Sequence, residues 1–454
     1  MASRGHHLLN ADRRFATGGG LLGRLVAPAF VRVIDQLHKR LATGGIHATL
    51  PDGNRRDVGF HAPGPVATVT LHSWMALVRL ATSGSVGWYK AWERGEWSSP
   101  DPVPLFALFM ANAVALGDAA RAKGPARLAN ALVHRLRDNA PDQARDNIAA
   151  HYDLGNDFYA AWLDPSMTYS SARFSAPPAR AGGVDSPQAS GGGAVDLTPD
   201  NPSPSVLRTS STLAKREGEL ECAQHRKIAL LLARLALKPG DRLLEIGCGW
   251  GSLAIEAARR GAVVTGLTLS TEQKAWAEGA AADAGVADRV TFRLQDYRDL
   301  DERFDAIASV EMVEAVGVRW WSAYLDAIAR SLAPGGCAAL QFIGIDHRLF
   351  DAYARSADFI QAYIFPGGML LHEPRFAVLA SERGLSWQDR DGFGLDYAET
   401  LRQWRTRYDE AVGRGALSGF DERFHRLWRY YLMYCEGGFR GGGIDVAQVT
   451  MVKS

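Results

Sequence analysis

The sequence predicts an α/β protein built around a doubly wound sheet, with a smaller α+β unit in front of it. Residues 242–251 form an apolar strand pattern that ends in a glycine-spaced turn, and a helix pattern follows at once from Ser252 to Arg260. Strand and helix patterns then alternate to the end of the chain, which is typical of a largely parallel sheet. We expect the sheet to become mixed near its C-terminal end. The strand candidates are 242–246, 262–267, 289–294, 304–310, 336–343 and 446–452.

Size and charge narrow the class of protein. A chain of 454 residues exceeds one ordinary domain, so two domains are expected. The net charge of +1 gives no reason to expect nucleic acid as a partner. The four cysteines are too scattered for a zinc cluster or a disulfide scaffold, and they suit a reducing cytosol. Neither an apolar signal core nor a run of ~18 apolar residues is present, so we expect neither export nor membrane spanning.

Residues 1–145 are predicted to form an N-terminal accessory domain, and residues 146–454 a catalytic domain. Residues 48–55 indicate a turn between two short strands, and residues 66–71 alternate as a half-buried strand does. Trp88, Trp92 and Trp97 are expected to pack at the junction of the domains, with anchoring at a membrane interface as the alternative.

Two further segments complete this organisation. Residues 125–137 predict a helix with leucines on one face and basic residues around it, either the solvated face of a packed helix or a lipid contact. Residues 175–210 are rich in Pro, Gly, Ser and Ala, and we predict a disordered insertion there.

The glycine turn indicates the kind of ligand. Gly247, Gly249 and Gly251 let the backbone approach a ligand where a Cβ atom would collide with it. Their G-x-G-x-G spacing, preceded by Glu245, favours S-adenosylmethionine (SAM) over a dinucleotide, which prefers G-x-G-x-x-G. A plain cluster of turn glycines remains the alternative.

The second strand, 262–267, is followed by a helix that Ser270 would cap. No carboxylate ends this strand, although such a group commonly binds the ribose hydroxyls. Thr268 and Gln273 are candidates to replace it, and Gln273 is equally well explained as an ordinary capping-box residue. Because ligands bind beyond the carboxyl ends of parallel strands, the turns at 247–251, 268–273, 295–298 and 311–317 should face one crevice.

Seven signatures together resemble the cyclopropane-fatty-acyl-phospholipid synthase family, which includes the mycolic acid cyclopropane synthases and related lipid methyltransferases. The resemblance covers nearly the whole chain. Its signatures lie at 151–159, 167–170, 246–251, 267–273, 295–299, 363–368 and 393–397.

The resemblance implies a Rossmann-like SAM-dependent methyltransferase that acts on the cis double bond of an unsaturated acyl chain in a membrane phospholipid. The product would be a cyclopropane fatty acyl chain. It also implies a cytoplasmic enzyme that associates peripherally with the inner face of the membrane, and it leaves oligomerisation open. The cofactor-binding residues that it implies are Tyr169, Ser170, Gly247, Gly249, Gly251, Thr268, Leu269, Gln273, Gln295 and Tyr297.

Methyl addition to an alkene leaves a carbocation that must lose a proton, and the resemblance implies that bound bicarbonate takes it. The residues carried over for this anion site are Glu314, Tyr397, Ile343, Ser171 and Gln341. Ser171 stands where the family has a cysteine, and Gln341 where it has a histidine. Both can donate hydrogen bonds, so an anion site could persist, but the charge that a histidine can carry is lost.

These two departures leave the product open. Proton loss from the new methyl group closes a cyclopropane, whereas loss from a neighbouring carbon leaves a methyl-branched alkene, and we favour the cyclopropane. Cys435 matches a cysteine traditionally viewed as catalytic, although a structural thiol fits the chemistry better. The rival classes are a small-molecule SAM methyltransferase, which would need a base for an O or N nucleophile, and a non-catalytic lipid-binding protein.

Overall fold

The computed structural model describes residues 4–9, 27–117, 154–174, 208–355 and 357–454. The predicted helix at 125–137 and the predicted domain boundary at 145 lie outside these ranges. So does most of the predicted disordered insertion, residues 175–207. The three last residues of that insertion, 208–210, begin a long helix instead.

The N-terminal unit contains a small sheet covered by helices. Its strands have the order β2-β1-β3-β4, with β1 antiparallel to β2 and parallel to β3. The predicted turn between β1 and β2 is confirmed, and in β3 Ala67, Val69 and Leu71 are buried in alternation as predicted. The elements are α1 His6–Leu9, α2 Ala27–Arg40, β1 Gly45–Thr49, β2 Arg55–Gly59, β3 Val66–Leu71, α3 Met75–Glu93, β4 Trp97–Ser98, α4 Val103–Ala111 and α5 Ala113–Leu116.

The second sheet has seven strands in the order β10-β11-β9-β8-β5-β6-β7. The strands from β9 to β7 in this order are parallel, whereas β11 runs antiparallel to both β9 and β10, so the mixed sheet is confirmed. The strands are β5 Arg242–Ile246, β6 Val263–Thr268, β7 Val290–Leu294, β8 Phe304–Val310, β9 Leu332–Ile345, β10 Leu385–Gly392 and β11 Ile444–Lys453.

The sequence missed β10. Its residues, Leu385–Gly392, are mostly polar, and only Leu385 is fully buried, because the strand lies at the edge of the sheet. An edge strand needs no apolar pattern on both faces.

Helices cover the sheet and connect its strands. They are α6 Asn156–Ala160, α7 Arg208–Leu235, α8 Ser252–Arg259, α9 Thr271–Asp283, α10 Trp321–Ser331, α11 His347–Tyr353, α12 Phe359–Tyr363, α13 Glu373–Ser381, α14 Gly394–Gly413 and α15 Glu422–Arg440. Within the described parts of the chain, no helix combines the length and the apolar character that crossing a bilayer requires.

The N-terminal unit shares one apolar core with α14, α15 and Val446 of β11, and two further apolar clusters lie around the larger sheet itself. A single cluster of buried side chains extends from Leu8 through the N-terminal strands to α14, α15 and Val446. Trp88 and Trp97 stack with ring centroids 4.4 Å apart, and the Trp92 ring lies 6.1 Å from that of Tyr430 on α15. The three tryptophans therefore pack at the junction as expected.

Candidate active site

A cavity opens at the carboxyl ends of β5, β6, β7 and β8. It encloses about 1290 Å³ of empty space, including the part that is open to solvent. All four turns predicted to face one crevice contribute residues to its wall. The cavity therefore lies where ligands bind in open α/β sheets.

The glycine turn after β5 forms one wall of this cavity. Gly247 and Gly249 adopt φ values of 81° and 52°, which residues with a Cβ atom rarely adopt. A Cβ atom built on Gly249 would meet no protein atom within 4 Å. Since Gly249 lines the cavity, its bare backbone faces the space that a ligand would fill.

Gly251 differs from the prediction, because it does not line the cavity. A Cβ atom at this position would lie 2.9 Å from the Cβ of Ala277 and 3.0 Å from Phe292. Gly251 therefore allows α9 and β7 to pack closely against the turn, which is a structural role rather than a cofactor contact.

The other predicted cofactor residues do line the cavity: Tyr169, Ser170, Gly247, Gly249, Thr268, Leu269, Gln273, Gln295 and Tyr297. Ser270 caps α9 as predicted, since its Oγ accepts a hydrogen bond from the Gln273 backbone N–H at 3.2 Å. The Gln273 side chain does not complete a capping box. Its Oε1 accepts from the Thr268 hydroxyl at 3.0 Å, while the Ser270 N–H donates to that same hydroxyl oxygen. Thr268 and Gln273 are thus held together as one polar group on the cavity wall.

Glu245 and Lys227 are buried ionisable residues of the cavity wall that were missing from the predicted site. Glu245 is the penultimate residue of β5, and one of its carboxyl oxygens has no hydrogen-bond partner among the described residues. Burial raises the pKa of Glu245 to about 8. Lys227 on α7 donates to the Ser170 hydroxyl at 2.7 Å, and burial lowers its pKa to about 8. Glu245 could be found from the sequence, because it is the acid that precedes the glycine turn. Lys227 could not, because a lysine within a helix carries no such signal.

These groups fit SAM, a nucleoside that carries a charged amino-acid tail. The open backbone at Gly249 leaves room for the tail, and the paired Thr268 and Gln273 present hydrogen-bonding atoms as a ribose requires. The unpartnered oxygen of Glu245 is available to a cationic group.

A second cluster adjoins the cavity and is centred on Glu311, which follows β8 and lines the cavity wall. Oε1 of Glu311 accepts hydrogen bonds from the Ser171 backbone N–H at 2.9 Å and from Gln341 Nε2 at 2.8 Å. Oε2 accepts one from the Tyr397 hydroxyl at 2.7 Å. Burial raises the pKa of Tyr397 well above its usual value, so this hydroxyl keeps its proton and donates a hydrogen bond to Glu311.

The structure brings together most of the residues expected around an anion, but in an unexpected arrangement. Ser171, Gln341 and Tyr397 surround the carboxylate of Glu311, which sequence reasoning did not place in the site. Ser171 contributes its backbone N–H, because its hydroxyl donates to the carbonyl of Ala172. The acidic motif at 311–317 contains both glutamates, but the family resemblance implies a role only for the second, Glu314.

Glu314 and Ile343 form a separate pair beside this cluster. The Ile343 N–H donates to Oε1 of Glu314, and Oε2 of Glu314 has no hydrogen-bond partner among the described residues. Burial, followed by the charge of nearby Glu311, raises the pKa of Glu314 to about 8. Neither residue lines the cavity.

Cys435 lies on α15, half-buried against the shared apolar core, and does not line the cavity. Burial and the nearby Asp358 raise the pKa of its thiol well above the usual value. A thiol that stays protonated is a poor nucleophile, which agrees with a structural role.

The parallel sheet, the glycine turn at the end of its first strand and the polar cavity wall define a Rossmann-like SAM-dependent methyltransferase. Residues 139–188 and 203–449 match the family described as mycolic acid cyclopropane synthetase, and the chain belongs to this family.

Three known proteins illustrate the similarity. The chain is 38% identical over 387 residues to the tuberculostearic acid methyltransferase UfaA1 of Mycobacterium tuberculosis, a match that covers 83% of this chain and 80% of that protein. It is 34% identical over 304 residues to the cyclopropane-fatty-acyl-phospholipid synthase of Escherichia coli, with 67% of this chain and 66% of that enzyme covered. The crystal structure of the mycolic acid cyclopropane synthase CmaA1 complexed with SAH and CTAB matches with a TM-score of 0.55 and 29% identity, covering 68% of this chain and 98% of that one.

Proposed function

We propose that this methyltransferase acts on the cis double bond of an unsaturated acyl chain in a membrane phospholipid and forms a cyclopropane fatty acyl chain. The observation that carries this proposal is the contact between the SAM cavity and a buried carboxylate, Glu311, held by three hydrogen-bond donors. Family membership supports the substrate class, because relatives are named for fatty acyl and mycolic acid products.

When bound, SAM supplies an electrophilic methyl group that the alkene takes with its π electrons as the C–S bond breaks, which leaves a positive charge on the acyl chain. An alkene carries no proton that must leave beforehand, so no base is needed for this step. The protein must instead position the alkene, exclude water and stabilise the cation.

Tyr169 is well placed for the last of these tasks. Its ring lines the cavity, and its hydroxyl lies 2.8 Å from that of Tyr431. The ring also contacts the rings of Tyr159 and Trp404, with centroids at 5.4 Å and 5.2 Å. A fixed aromatic face at the cavity wall can stabilise a passing cation.

The second candidate is the same methyl transfer with a methyl-branched product. Its specific support is the relative UfaA1, which is named for tuberculostearic acid rather than for a cyclopropane. The two products differ only in which C–H bond loses its proton. The chain's Ser171 and Gln341, which depart from the family pattern, donate hydrogen bonds to the Glu311 carboxylate at the cavity wall.

The test is incubation of the purified chain with SAM and vesicles of a phospholipid whose acyl chains carry one cis double bond. We expect the acyl chains to gain one CH2 unit, and proton NMR to show ring protons far upfield of the vinyl region. Vesicles with saturated acyl chains are the control and should give no product.

Three results would decide between the alternatives. Vinyl signals without ring protons would favour the branched product. Turnover of free fatty acid with none on phospholipid vesicles would contradict the substrate assignment. SAM binding without transfer to any lipid would point to the small-molecule or lipid-binding alternatives.

A further inference from the structure

We propose that the carboxylate of Glu311 is itself the base that removes the proton from the acyl carbocation, and that this enzyme therefore needs no bound bicarbonate. The inference rests on the proposed function, since it names the proton acceptor of that same reaction. The carboxylate of Glu311 lies among Ser171, Gln341 and Tyr397. This is the position that the family resemblance implies for bound bicarbonate.

The hydrogen bonds around Glu311 are those that an anion requires. Two groups donate hydrogen bonds to one carboxylate oxygen, and a third donates to the other. The three residues that carry these donors are each at least nine-tenths buried. Gln341 is in turn held by Gln448, whose Nε2 donates to Gln341 Oε1 at 3.0 Å, so that the amide of Gln341 presents its N–H groups to Glu311. A bicarbonate ion in this place would have to displace a carboxylate that the protein already holds in position.

The backbone of Glu311 supports a functional role. Its φ value is 49°, which is uncommon for a residue with a Cβ atom and costs on the order of 1 kcal/mol. Its N–H donates to the Gln341 carbonyl at 2.7 Å and fixes this conformation. Strain of this kind persists only where the surroundings enforce it, and here it directs the carboxylate to the border between the cluster and the cavity.

Glu311 can also act as a base on chemical grounds. Burial raises its pKa above the usual value, which makes the carboxylate a stronger proton acceptor. The three donors and the charge of Lys227 oppose this effect and favour the ionised form. The group is therefore more basic than an exposed glutamate and still has partners that stabilise its charge.

The step balances without any other reactant. The methylated acyl chain carries one positive charge, and a carboxylate oxygen of Glu311 forms an O–H bond with the departing proton. The electron pair of the broken C–H bond closes the ring onto the cationic carbon, or forms a double bond if the proton leaves a neighbouring carbon. Glu311 is then neutral and returns its proton to water before the next turnover.

The experiment compares the wild type with Glu311→Gln and Glu311→Gly in buffers freed of CO2, each with and without added bicarbonate. SAM affinity is measured by calorimetry alongside turnover on phospholipid vesicles. Glu382→Gln, a change at an exposed glutamate outside the cavity, is the matched control. We expect wild-type turnover to be unchanged by removal of bicarbonate, and the control to behave like the wild type.

The two substitutions should differ in a way that a merely structural role would not produce. Glu311→Gln keeps the size of the side chain but cannot take a proton, so kcat should fall by about 10²–10⁴-fold with SAM affinity retained and no response to bicarbonate. Glu311→Gly suits the positive φ and empties the carboxylate's place, so added bicarbonate should restore part of its turnover.

Three outcomes would overturn the inference. These are a bicarbonate requirement in the wild type, turnover near the wild-type level in Glu311→Gln, and no recovery by bicarbonate in a Glu311→Gly variant that still binds SAM. If the wild type forms no lipid product at all, the proposed function itself fails, and this result is distinct from the other three.

Discussion

At the scale of single residues, the site is defined by buried charges that neighbouring groups stabilise. An isolated carboxylate in the interior costs several kcal/mol, so a buried acid in a natural protein normally has partners. Glu311 has three donors, whereas Glu245 and Glu314 each keep one oxygen unpartnered among the described residues. Burial raises the pKa of each of these two acids to about 8, so both hold a proton more strongly than an exposed glutamate does, whereas the three donors around Glu311 favour its ionised form.

Gly249 supports a prediction at this scale. Replacing it with valine places a branched side chain in the cavity, so we expect Gly249→Val to lower SAM affinity at least tenfold in calorimetry. Gly285→Val is the matched control, because Gly285 also has a positive φ of 69° and open space at its Cβ position but does not line the cavity. Both variants should lose some thermal stability through backbone strain. Wild-type affinity in a folded Gly249→Val protein would remove this turn from the site.

At the scale of elements, α15 connects the two units of the molecule. Its N-terminal half packs on Tyr408 and Phe158, and its C-terminal half packs against α4 of the N-terminal unit. Gly437 lies at that second contact. A Cβ atom there would be 2.4 Å from the Cβ of Phe106 and 2.8 Å from the backbone carbonyl oxygen of Val103. The two helices approach this closely because Gly437 has no side chain.

Gly437→Ala should therefore destabilise the protein by about 1–3 kcal/mol, because a backbone atom cannot move aside as a flexible side chain can. Gly279→Ala provides the opposite control. Gly279 lies exposed in the interior of α9 with open space around it, so alanine should stabilise that helix by up to about 1 kcal/mol. Thermal unfolding of the two variants measures both effects, and equal midpoints would contradict this account of the helix contact.

At the scale of the whole molecule, the shared apolar core couples the N-terminal unit to the larger sheet. The cluster that contains Val58 and Val69 of the small sheet also contains Trp404 and Trp428 of α14 and α15. Apolar burial on this scale contributes strongly to the folding free energy, so this cluster couples the two units, while two further clusters lie around the larger sheet alone.

This coupling predicts how SAM affects unfolding. A ligand that binds only the folded state stabilises every part that unfolds together with its site. We expect one calorimetric transition that saturating SAM shifts upward, with amide exchange in β1 and β3 slowed as well as exchange in β5 and β8. Two transitions, of which SAM shifts only one, would show instead that the units unfold separately.

The sequence by itself determined the sheet, the glycine turn, the family and many of the residues that line the cavity. These features depend on local pattern, since a buried parallel strand must be apolar and a turn against a ligand must lack Cβ atoms. Strands 242–246 and 304–310 were predicted with the bounds that the structure has, because each is bordered by polar residues or glycine. The polar edge strand β10 was not predicted, because its sequence has no apolar pattern.

Only the tertiary structure decided which acid occupies the centre of the site. Glu311 and Glu314 lie three residues apart in one motif, and nothing in their sequence separates a residue that meets three donors from one that meets a single backbone N–H. The donors to Glu311 come from residue 171 in the segment 154–174, from residue 341 on β9, which pairs with β8, and from residue 397 on α14, which packs against β11. Hydrogen-bond partners so distant in sequence are brought together by packing. Packing also places Lys227 in the cavity wall and Gly251 outside it.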